Sequence, residues 1–298
     1  MRMPYVVVVG SANHDVVIRQ QRFPGPGETV FGHSVEKHPG GKGLNQAIAL
    51  ARAGTLVHFS GRVGRDESGR QLRSELLAAG VSVEALIEGD EPTGAAYVSV
   101  LDSGENSIVV VPGANASSCR LDGATRDLVA GARFVVAQLE RPIDLVREAF
   151  SEARRHGVTT VLTPAPVQVL DASLLMLTDI LVPNALEARA LAGEQDEERA
   201  AHCLSHSVEV VVMTRGERGV LVAQRGKTIA TVPARVVNAI DATGAGDTFV
   251  GFLIGALCRD SDLEAALREA TVAASIAVTR RGAASAMPSL SEVTTVLA

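Results

Sequence analysis

The segment Asp241-Ala242-Thr243-Gly244-Ala245-Gly246-Asp247 contains the residues with the clearest potential for chemistry. Its two glycines stand just before an apolar stretch with helical character, Thr248–Cys258, so backbone N–H groups can converge where a helix begins. Such a helix start suits a transferring phosphoryl group, because it adds partial positive charge. Asp247 stands where it can accept the proton of an attacking hydroxyl. A glycine turn in which Asp247 only caps the helix also explains this segment taken alone.

A second glycine-rich segment, Pro39–Gln46, precedes a helix of small residues predicted over Ala47–Ala53. Glycines allow a ligand to approach the backbone closely, while Lys42, Asn45 and Gln46 supply hydrogen-bond donors suited to a polyol. A solvated turn with Asn45 as the helix N-cap fits the same residues.

Asn13 and Asp15 follow the first apolar run, Val6–Val9, which ends at Gly10. Open α/β sheets bind ligands at the carboxyl ends of their strands. Alternate residues of an extended chain point to the same side, so Asn13 and Asp15 can grip one sugar. An Asx turn is the other interpretation.

Short β-branched runs and amphipathic helices alternate along the chain and would position these segments. Runs of this kind are typical of strands buried on both faces of a parallel sheet. After Val6–Val9 the predicted strands are Val57–Ser60, Phe134–Gln138, Thr159–Thr163, Ile180–Pro183 and Val208–Thr214.

The clearest predicted helix is Pro142–His156, with Pro142 at its first position and Gly157 as its stop. Ser68 is predicted to cap a helix that runs to Gly80. Repeated β-α-β order favours a parallel sheet covered by helices on both faces.

Two segments depart from this pattern, because Thr29–Glu36 and Ala95–Val111 alternate apolar and polar residues. The second turns at Asp102–Glu105, which is typical of an antiparallel ribbon. A thin sheet is rarely stable alone, so it is expected to cover a ligand cleft or another subunit.

Composition narrows the function classes. The chain has 298 residues, 46% of them hydrophobic and 21% charged, with a net charge of -6, which is ordinary for a globular protein. The acidic balance argues against a nucleic-acid partner. No stretch reaches the roughly 20 apolar residues of a membrane span, and the apolar run Tyr5–Val9 is too short for the core of a signal peptide. Three scattered cysteines, Cys119, Cys203 and Cys258, suggest a reducing compartment, so a cytoplasmic protein without a disulfide framework is expected.

Taken together, these segments resemble the ribokinase, or phosphofructokinase-B, family of sugar kinases over nearly the whole chain. Several motifs in the correct order are far more specific than any one of them. In chain order they are Asn13/Asp15, Gly25–Thr29, Gly40–Gln46, Gly104–Asn106, Gly113–Asn115, Gln138–Glu140, Thr163–Pro166, Pro183–Glu187, Thr214–Gly219 and Asp241–Asp247.

The resemblance implies a single three-layer α/β domain over residues 1–298, with a mainly parallel central sheet flanked by helices. A small β lid is expected from residues of about 15–38 and 93–112, and lids of this family often clasp each other in a homodimer. The implied reaction transfers the γ-phosphoryl group of ATP to the primary hydroxyl of D-ribose. Asp247 would be the base, and the backbone amides of Gly244, Ala245, Gly246 and Asp247 would hold the developing charge.

The resemblance also implies the binding residues. Besides Asp247, D-ribose would contact Asn13, Asp15, Gly41, Lys42, Gly43, Asn45 and Glu140. ATP would lie along Asn184, Glu187, Thr214, Arg215, Gly216, Glu217, Gly219, Gly246, Asp247 and Thr271. Mg²⁺ would travel with ATP, organised by Asn184 and Glu187 through water. An activating K⁺ would be held, mostly by backbone carbonyls, at Asp241, Thr243, Ala277, Arg280, Gly282 and Ala286.

Two positions depart from the family pattern. Thr271 replaces a histidine that often flanks the adenine, and Ala286 stands where a serine is expected. The alternatives are another kinase of the same family, acting on deoxyribose, fructose or a nucleoside such as adenosine, and a non-catalytic sugar sensor. An intact Asp247 argues against the sensor, and the scarcity of aromatic residues argues against a stacked nucleoside base.

Overall fold

The computed structural model describes residues 3–298, so Met1 and Arg2 of the predicted domain lie outside the described residues. Strands and helices alternate over most of the chain. The strands are β1 Tyr5–Val9, β2 Asn13–Gln20, β3 Gly32–Gly40, β4 Leu56–Gly64, β5 Leu86–Gly89, β6 Gly94–Leu101, β7 Asn106–Val111, β8 Phe134–Gln138, β9 Thr159–Thr163, β10 Ile180–Leu181, β11 Val210–Thr214, β12 Val220–Gln224 and β13 Lys227–Val232. The α-helices are α1 Lys42–Arg52, α2 Glu67–Ala78, α3 Gly123–Gly131, α4 Ile143–Arg155, α5 Ala172–Met176, α6 Ala185–Ala192, α7 Glu197–Leu204, α8 Ala245–Cys258, α9 Leu263–Ala277 and α10 Leu290–Leu297.

The central sheet has nine strands in the order β13-β12-β11-β10-β9-β8-β1-β4-β5. Neighbouring strands from β11 to β5 are parallel, and β12 runs antiparallel to both of its neighbours, β11 and β13. Val6 and Val8 belong to a core under α1, α8 and α9, whereas Val7 and Val9 belong to a core under α4 and α7. Both faces of the sheet are therefore covered, which explains the unbroken valine run and confirms the predicted α/β class.

A second, four-stranded sheet has the order β3-β2-β6-β7. The β6–β7 hairpin, turning at Asp102–Glu105, is antiparallel as predicted. The segment of β3 also pairs antiparallel, with β2. At the centre of this sheet β2 and β6 are parallel, a pairing that the sequence analysis did not predict. Both strands leave the main domain in the same direction, which imposes that pairing. The predicted strand Thr29–Glu36 is displaced toward the C-terminus, since β3 begins at Gly32 and ends at Gly40.

Three predicted helix starts are shifted. Pro142 is the N-cap of α4 rather than its first residue, because its ψ of 131° is extended. The carboxylate of Asp66, not the side chain of Ser68, caps α2 by accepting the N–H of Gly69. Gly41 is the N-cap of α1, so the alternative in which Asn45 caps this helix is wrong.

The three cysteines are free, with Cys119 and Cys203 exposed and Cys258 buried. Within residues 3–298, none of the helices has the length and apolar character needed to cross a bilayer.

Candidate active site

The carboxyl ends of five neighbouring strands supply most of the candidate site. Strands β11, β10, β9, β8 and β1 lie side by side and run parallel. Carboxyl ends of parallel strands meet at one edge of a sheet. At this edge lie the predicted site residues Asn13, Glu140, Asn184 and Thr214, together with Thr163.

Close packing of α1 against α8 brings Asp247 to its neighbours. A Cβ added to Gly251 would lie 2.3 Å from the Cβ of Ala49, so only glycine allows the two helices to approach this closely. Asp247 and Asn45 each stand one helical turn before that contact, so the packing carries their side chains together.

Asp247 is 8% exposed, and its carboxylate accepts hydrogen bonds from two side-chain amides. Asn45 Nδ2 donates to Oδ2 at 3.2 Å, and Gln46 Nε2 donates to Oδ1 at 2.9 Å. Burial raises the pKa of Asp247 above its ordinary value, although the charge of Lys42 and the two amides oppose the shift. The side chain of Asp247 does not cap α8, whose N-cap is Gly244, so the capping interpretation is wrong.

Glu140 ties the start of α1 to the loop after β1. Its Oε2 accepts the backbone N–H of Lys42 at 2.9 Å and the hydroxyl of Ser11. Gly43 packs directly on the same loop, where an added Cβ would lie 2.5 Å from the backbone N of Ser11. The glycines of this segment therefore allow α1 to begin against the end of β1.

Asn13 is buried and is fixed by Asn115. Asn115 Nδ2 donates to Oδ1 of Asn13 at 2.8 Å, and Oδ1 of Asn115 accepts the backbone N–H of Ala12 at 3.1 Å. The Nδ2 of Asn13 makes no hydrogen bond within residues 3–298 and is available to a ligand.

Asp15 lies on the same face of β2 as Asn13. Burial, and next the charge of Glu140, raise the pKa of Asp15 to about 7, against the opposing charge of Lys42. Burial lowers the pKa of His14, which lies between them in sequence. The carboxylates that oppose this shift are those of Asp66 and Glu67 and not those of the site, as expected for the opposite face of the strand.

A cavity of about 200 Å³ opens between these elements. A larger hollow of about 640 Å³ beside α4 contains none of the candidate site residues. The smaller cavity is lined by Lys42, Thr163, Ala165, Val182, Asn184, Glu187, Thr214, Ala242, Gly244, Gly246, Asp247 and Val250.

Lys42 is the positive charge of this cavity. Burial by itself lowers the pKa of Lys42, but the carboxylates of Asp247, Glu140, Glu187 and Asp15 outweigh burial and raise it. The ammonium group therefore stays charged in the cavity that Asp247 also lines.

The start of α8 presents three free backbone donors. The N–H groups of Gly244, Gly246 and Asp247 make no hydrogen bond within residues 3–298, whereas the N–H of Ala245 donates to the carbonyl of Ala242 at 3.2 Å. Gly244 turns the chain with a φ of 74°. Of the four predicted anion-hole donors, the N–H groups of Gly244, Gly246 and Asp247 are therefore unpaired, as is common at a helix start, while that of Ala245 is engaged within the turn.

Asn184 and Glu187 form a closed pair at the start of α6. The Oδ1 of Asn184 accepts the N–H of Glu187, while both carboxylate oxygens of Glu187 accept N–H groups of Asn184, each at 2.8 Å. Burial raises the pKa of Glu187 despite these bonds. Asn184 and Thr214 are bridge partners, so the ends of β10 and β11 meet at this point.

The other predicted nucleotide residues lie outside the cavity lining. Arg215, Gly216, Glu217 and Gly219 form a turn in which the N–H of Arg215 donates to the carbonyl of Gly219 at 2.8 Å. Thr271 is buried in α9, and its hydroxyl donates to the carbonyl of Leu267 at 2.7 Å.

Two of the predicted cation residues, Thr243 and Gly282, are bonded to Asp241. One carboxylate oxygen of Asp241 accepts the N–H of Thr243 and the other accepts that of Gly282, both at 2.9 Å. The segments that contain Thr243 and Gly282 are thereby joined. The guanidinium of Arg280 pairs with Glu292, Ala277 ends α9, and Ala286 is a buried residue without a polar side chain.

Three side chains near the site, Ser11, Asn115 and Thr163, carry no predicted role in the sequence analysis. Ser11 donates to Glu140, Asn115 donates to Asn13, and Thr163 accepts from Gln46. Gln46, predicted as a donor to a polyol, donates to Asp247 as well as to Thr163. The only signal for Asn115 and Thr163 was their presence in the motifs Gly113–Asn115 and Thr163–Pro166, and for Ser11 its position between Gly10 and Asn13, because their contacts come from distant parts of the chain.

Residues 3–290 match the model of the pfkB family carbohydrate kinases. The chain belongs to this family. The family resemblance seen in the sequence is thus confirmed.

Members of the pfkB family that resemble this chain share its full length. The ribokinase of Haemophilus influenzae is 37% identical over 295 residues, covering 96% of both chains. The ribokinase of Staphylococcus aureus is 38% identical, covering 97% of this chain and 98% of the relative. The structure of Arabidopsis thaliana ribokinase complexed with ribose and ATP superimposes with a TM-score of 0.93 at 30% identity, covering 99% of both chains.

Proposed function

We propose that this pfkB family member is an ATP-dependent D-ribose kinase that forms ribose 5-phosphate and ADP. Its curated relatives carry the name ribokinase, and the similar Arabidopsis structure contains ribose and ATP. The observation that carries the proposal is the placement of Asp247. Its buried carboxylate shares one cavity with the free N–H groups at the start of α8.

In the proposed reaction the carboxylate of Asp247 takes the proton of the ribose O5 hydroxyl while O5 attacks the γ-phosphorus. The O5–P bond forms as the bond to the leaving ADP oxygen breaks. Donors at Gly246 and Asp247, with the ammonium of Lys42, stabilise the charge on the transferring group. The raised pKa of Asp247 suits this step, because a stronger base accepts the proton more readily.

The proposed ribose site lies between β2, α1 and the end of β8. Asn13 and Asp15 face it from β2, and Glu140 faces it from the loop after β8. The Oδ1 of Asn45 is buried without a hydrogen-bond partner, although the Nδ2 of the same amide is engaged by Asp247. A sugar hydroxyl that donates to this oxygen would satisfy it.

The nucleotide is proposed to lie along Asn184, Thr214 and the turn at residues 215–219. Mg²⁺ fits this arrangement as a companion of the ATP phosphates, whose charge it would neutralise when bound. Both oxygens of Glu187 are engaged by Asn184, so Glu187 would meet the ion through water. Within residues 3–298 no group of three or more His, Cys, Asp or Glu side chains is placed to hold a metal ion.

A K⁺ site near Asp241 remains part of the proposal. The carboxylate of Asp241 holds Thr243 and Gly282 in place, so carbonyl groups of these segments can face one ion. Backbone carbonyls are suitable ligands for a large monovalent cation. This ion would act by shaping the loop that precedes Gly244.

The small sheet is proposed to act as a lid and as the homodimer contact. Strand β7 exposes Ile108, Val109, Val110 and Val111, an apolar edge that a second copy would cover. Light scattering with size-exclusion chromatography would test the dimer.

A cytoplasmic location also remains a proposal, supported by the three free cysteines.

The function is tested by measuring ADP release from MgATP in potassium buffer with D-ribose, 2-deoxyribose, fructose or adenosine as acceptor. The highest kcat/KM is expected with ribose. Preference for another acceptor would contradict the ribose assignment and retain the kinase. Ribose binding without turnover on any acceptor would support the sensor alternative.

A further inference from the structure

Two buried glutamines form a chain of hydrogen bonds to Asp247 without lining the cavity. Gln46 and Gln138 are both 0% exposed, and neither lines the cavity that contains Asp247. Gln138 Nε2 donates to Gln46 Oε1 at 2.6 Å, and Gln46 Nε2 donates to Asp247 Oδ1 at 2.9 Å. A chain of two amides thus connects the end of β8 to the candidate base.

The charge of Asp247 fixes the direction of this chain. An ionised carboxylate only accepts hydrogen bonds, so Gln46 must present its NH₂ group to Asp247. The oxygen of Gln46 then faces Gln138, which must donate in turn. Gln46 Nε2 also donates to the hydroxyl oxygen of Thr163 at 3.2 Å, which holds the amide in the same orientation.

The far end of the chain is left unsatisfied. Gln138 Oε1 is buried and has no hydrogen-bond partner. It occupies space beside Gly10, where an added Cβ would lie 2.6 Å from this oxygen. An unpaired buried acceptor destabilises the folded state. The Gln138 side chain nevertheless keeps its NH₂ group toward Gln46 and leaves its own oxygen without a hydrogen bond.

We infer that Gln138 and Gln46 are positioning residues that form a directional amide relay holding Asp247 as an oriented hydrogen-bond acceptor for the substrate proton. This inference rests on the proposed function, because it assigns the relay to the base of the phosphoryl transfer. Neither glutamine is expected to contact ATP, since neither lines the cavity.

The substitution Gln138→Glu tests the direction of the relay through pH. When the new carboxyl group is protonated, it donates to Gln46 as the amide does. When it is ionised it can only accept, so the Gln46 amide turns and presents its oxygen to Asp247. The wild-type kcat should rise with pH to a plateau, whereas the kcat of this variant should fall at high pH and not recover.

The substitution Gln138→Leu removes the donor without adding charge. We expect kcat for ribose phosphorylation to fall by roughly tenfold, a part of the 10²–10⁴ that a positioned base contributes. The acid limb of the kcat–pH profile of this variant should move to higher pH, while its dissociation constant for ribose stays within a factor of about 2 of the wild-type value. Gln168→Leu is the matched control, because Gln168 donates to the Leu139 carbonyl outside the relay and should retain the wild-type profile.

The outcomes separate the relay from the proposed function. Wild-type protein that fails to phosphorylate ribose would contradict the proposed function itself. An active wild type with unchanged pH profiles in both Gln138 variants would overturn the relay. Recovery of Gln138→Glu at high pH would also overturn it, because charge repulsion alone only shifts the ionisation of Asp247. Thermal unfolding and ribose calorimetry on each variant identify any that fails to fold, in which case Gln138→Met replaces it with the expectation given for leucine.

Discussion

The sugar end of the candidate site and its nucleotide end are built in different ways. At the sugar end, Asn13, Asn45 and Asp247 are buried and bonded to side chains from distant segments. At the nucleotide end, Asn184 and the turn at residues 216–218 are exposed. Their backbone hydrogen bonds are local, and the one long-range bond printed for this turn joins the Arg218 guanidinium to Glu197 at the surface. The sugar end is therefore preformed by interlocked side chains, whereas the nucleotide end consists of short turns that offer backbone groups.

This difference indicates at which end of the site substitutions should have the larger effect on activity. Truncating one member of a buried polar network leaves its partners unpaired, and the lost interactions are larger than for exposed groups. Changes at the sugar end should therefore be severe and specific, while changes at the nucleotide end should be mild.

The largest effect is expected from Asp247→Asn, at the centre of the buried end. This substitution removes the base and leaves the side-chain volume, so kcat should fall by about 10³-fold. Ribose affinity, measured by calorimetry, should change little. Near wild-type turnover would show that another group accepts the proton.

Glu140→Gln should produce the next largest effect. Glu140 accepts the N–H of Lys42 and the hydroxyl of Ser11 as a charged group. Loss of charge-assisted hydrogen bonds costs about 1.5–3 kcal/mol, so the KM for ribose should rise by roughly 10–100-fold. The KM for ATP should stay constant. A rise in the KM for ribose and in the KM for ATP would mean that the sugar end and the nucleotide end of the site are not independent.

Ribose binding should depend on pH through Asp15. Its pKa is raised to about 7 by burial and by Glu140, so the carboxylate becomes protonated as pH falls through that value. If the ionised form grips the sugar, the KM for ribose should rise by at most about tenfold per pH unit below 7. Asp15→Asn should remove this dependence while the acid limb of kcat, which reports Asp247, remains.

Replacing K⁺ by Na⁺ should lower kcat by roughly two- to tenfold, because the loop before Gly244 loses a cation of suitable size. The KM for ribose should be unaffected, since Asp241 and Gly282 do not contact the sugar end. Equal rates in both salts would contradict the cation site, with Ala286 the first residue to examine.

The smallest effect is expected from Thr271→Val at the nucleotide end. The Thr271 hydroxyl is already engaged by the Leu267 carbonyl within α9, so it offers no free donor to adenine. The KM for ATP should change by less than about twofold, in line with an interaction confined to the helix. A larger change would show that this hydroxyl turns toward the nucleotide.

Much of the fold was predictable because its signals are local. The unbroken run Val6–Val9 indicated a strand buried on both faces, and the order of motifs indicated the family. Strand pairing in the small sheet was not predictable, because alternation in Ala95–Val111 carries no information about which way β2 passes beside β6. The helix starts at Asp66 and Gly41 were missed since several capping residues compete within a few positions.

For the candidate site residues, too, the sequence predicted the local features and left the long-range contacts open. The sequence placed Asp247 at a glycine turn before a helix but left open whether it capped that helix, since both interpretations use the same residues. The contacts from Asn45 and Gln46 decide this question, and they exist only because Gly251 lets α8 pack against α1. Ser11, Asn115 and Gln138 gain their roles in the same way, from partners far along the chain.

By itself the sequence determined the α/β class, the family and the types of groups available, because hydrophobic period, glycine positions and motif order are properties of neighbouring residues. Only the tertiary structure decided which of these groups meet. The parallel order of β11, β10, β9, β8 and β1 collects their carboxyl ends at one edge. Burial at that edge then raises the pKa of Asp247 and of Asp15, an effect that no local pattern contains, because desolvation depends on everything packed around a side chain.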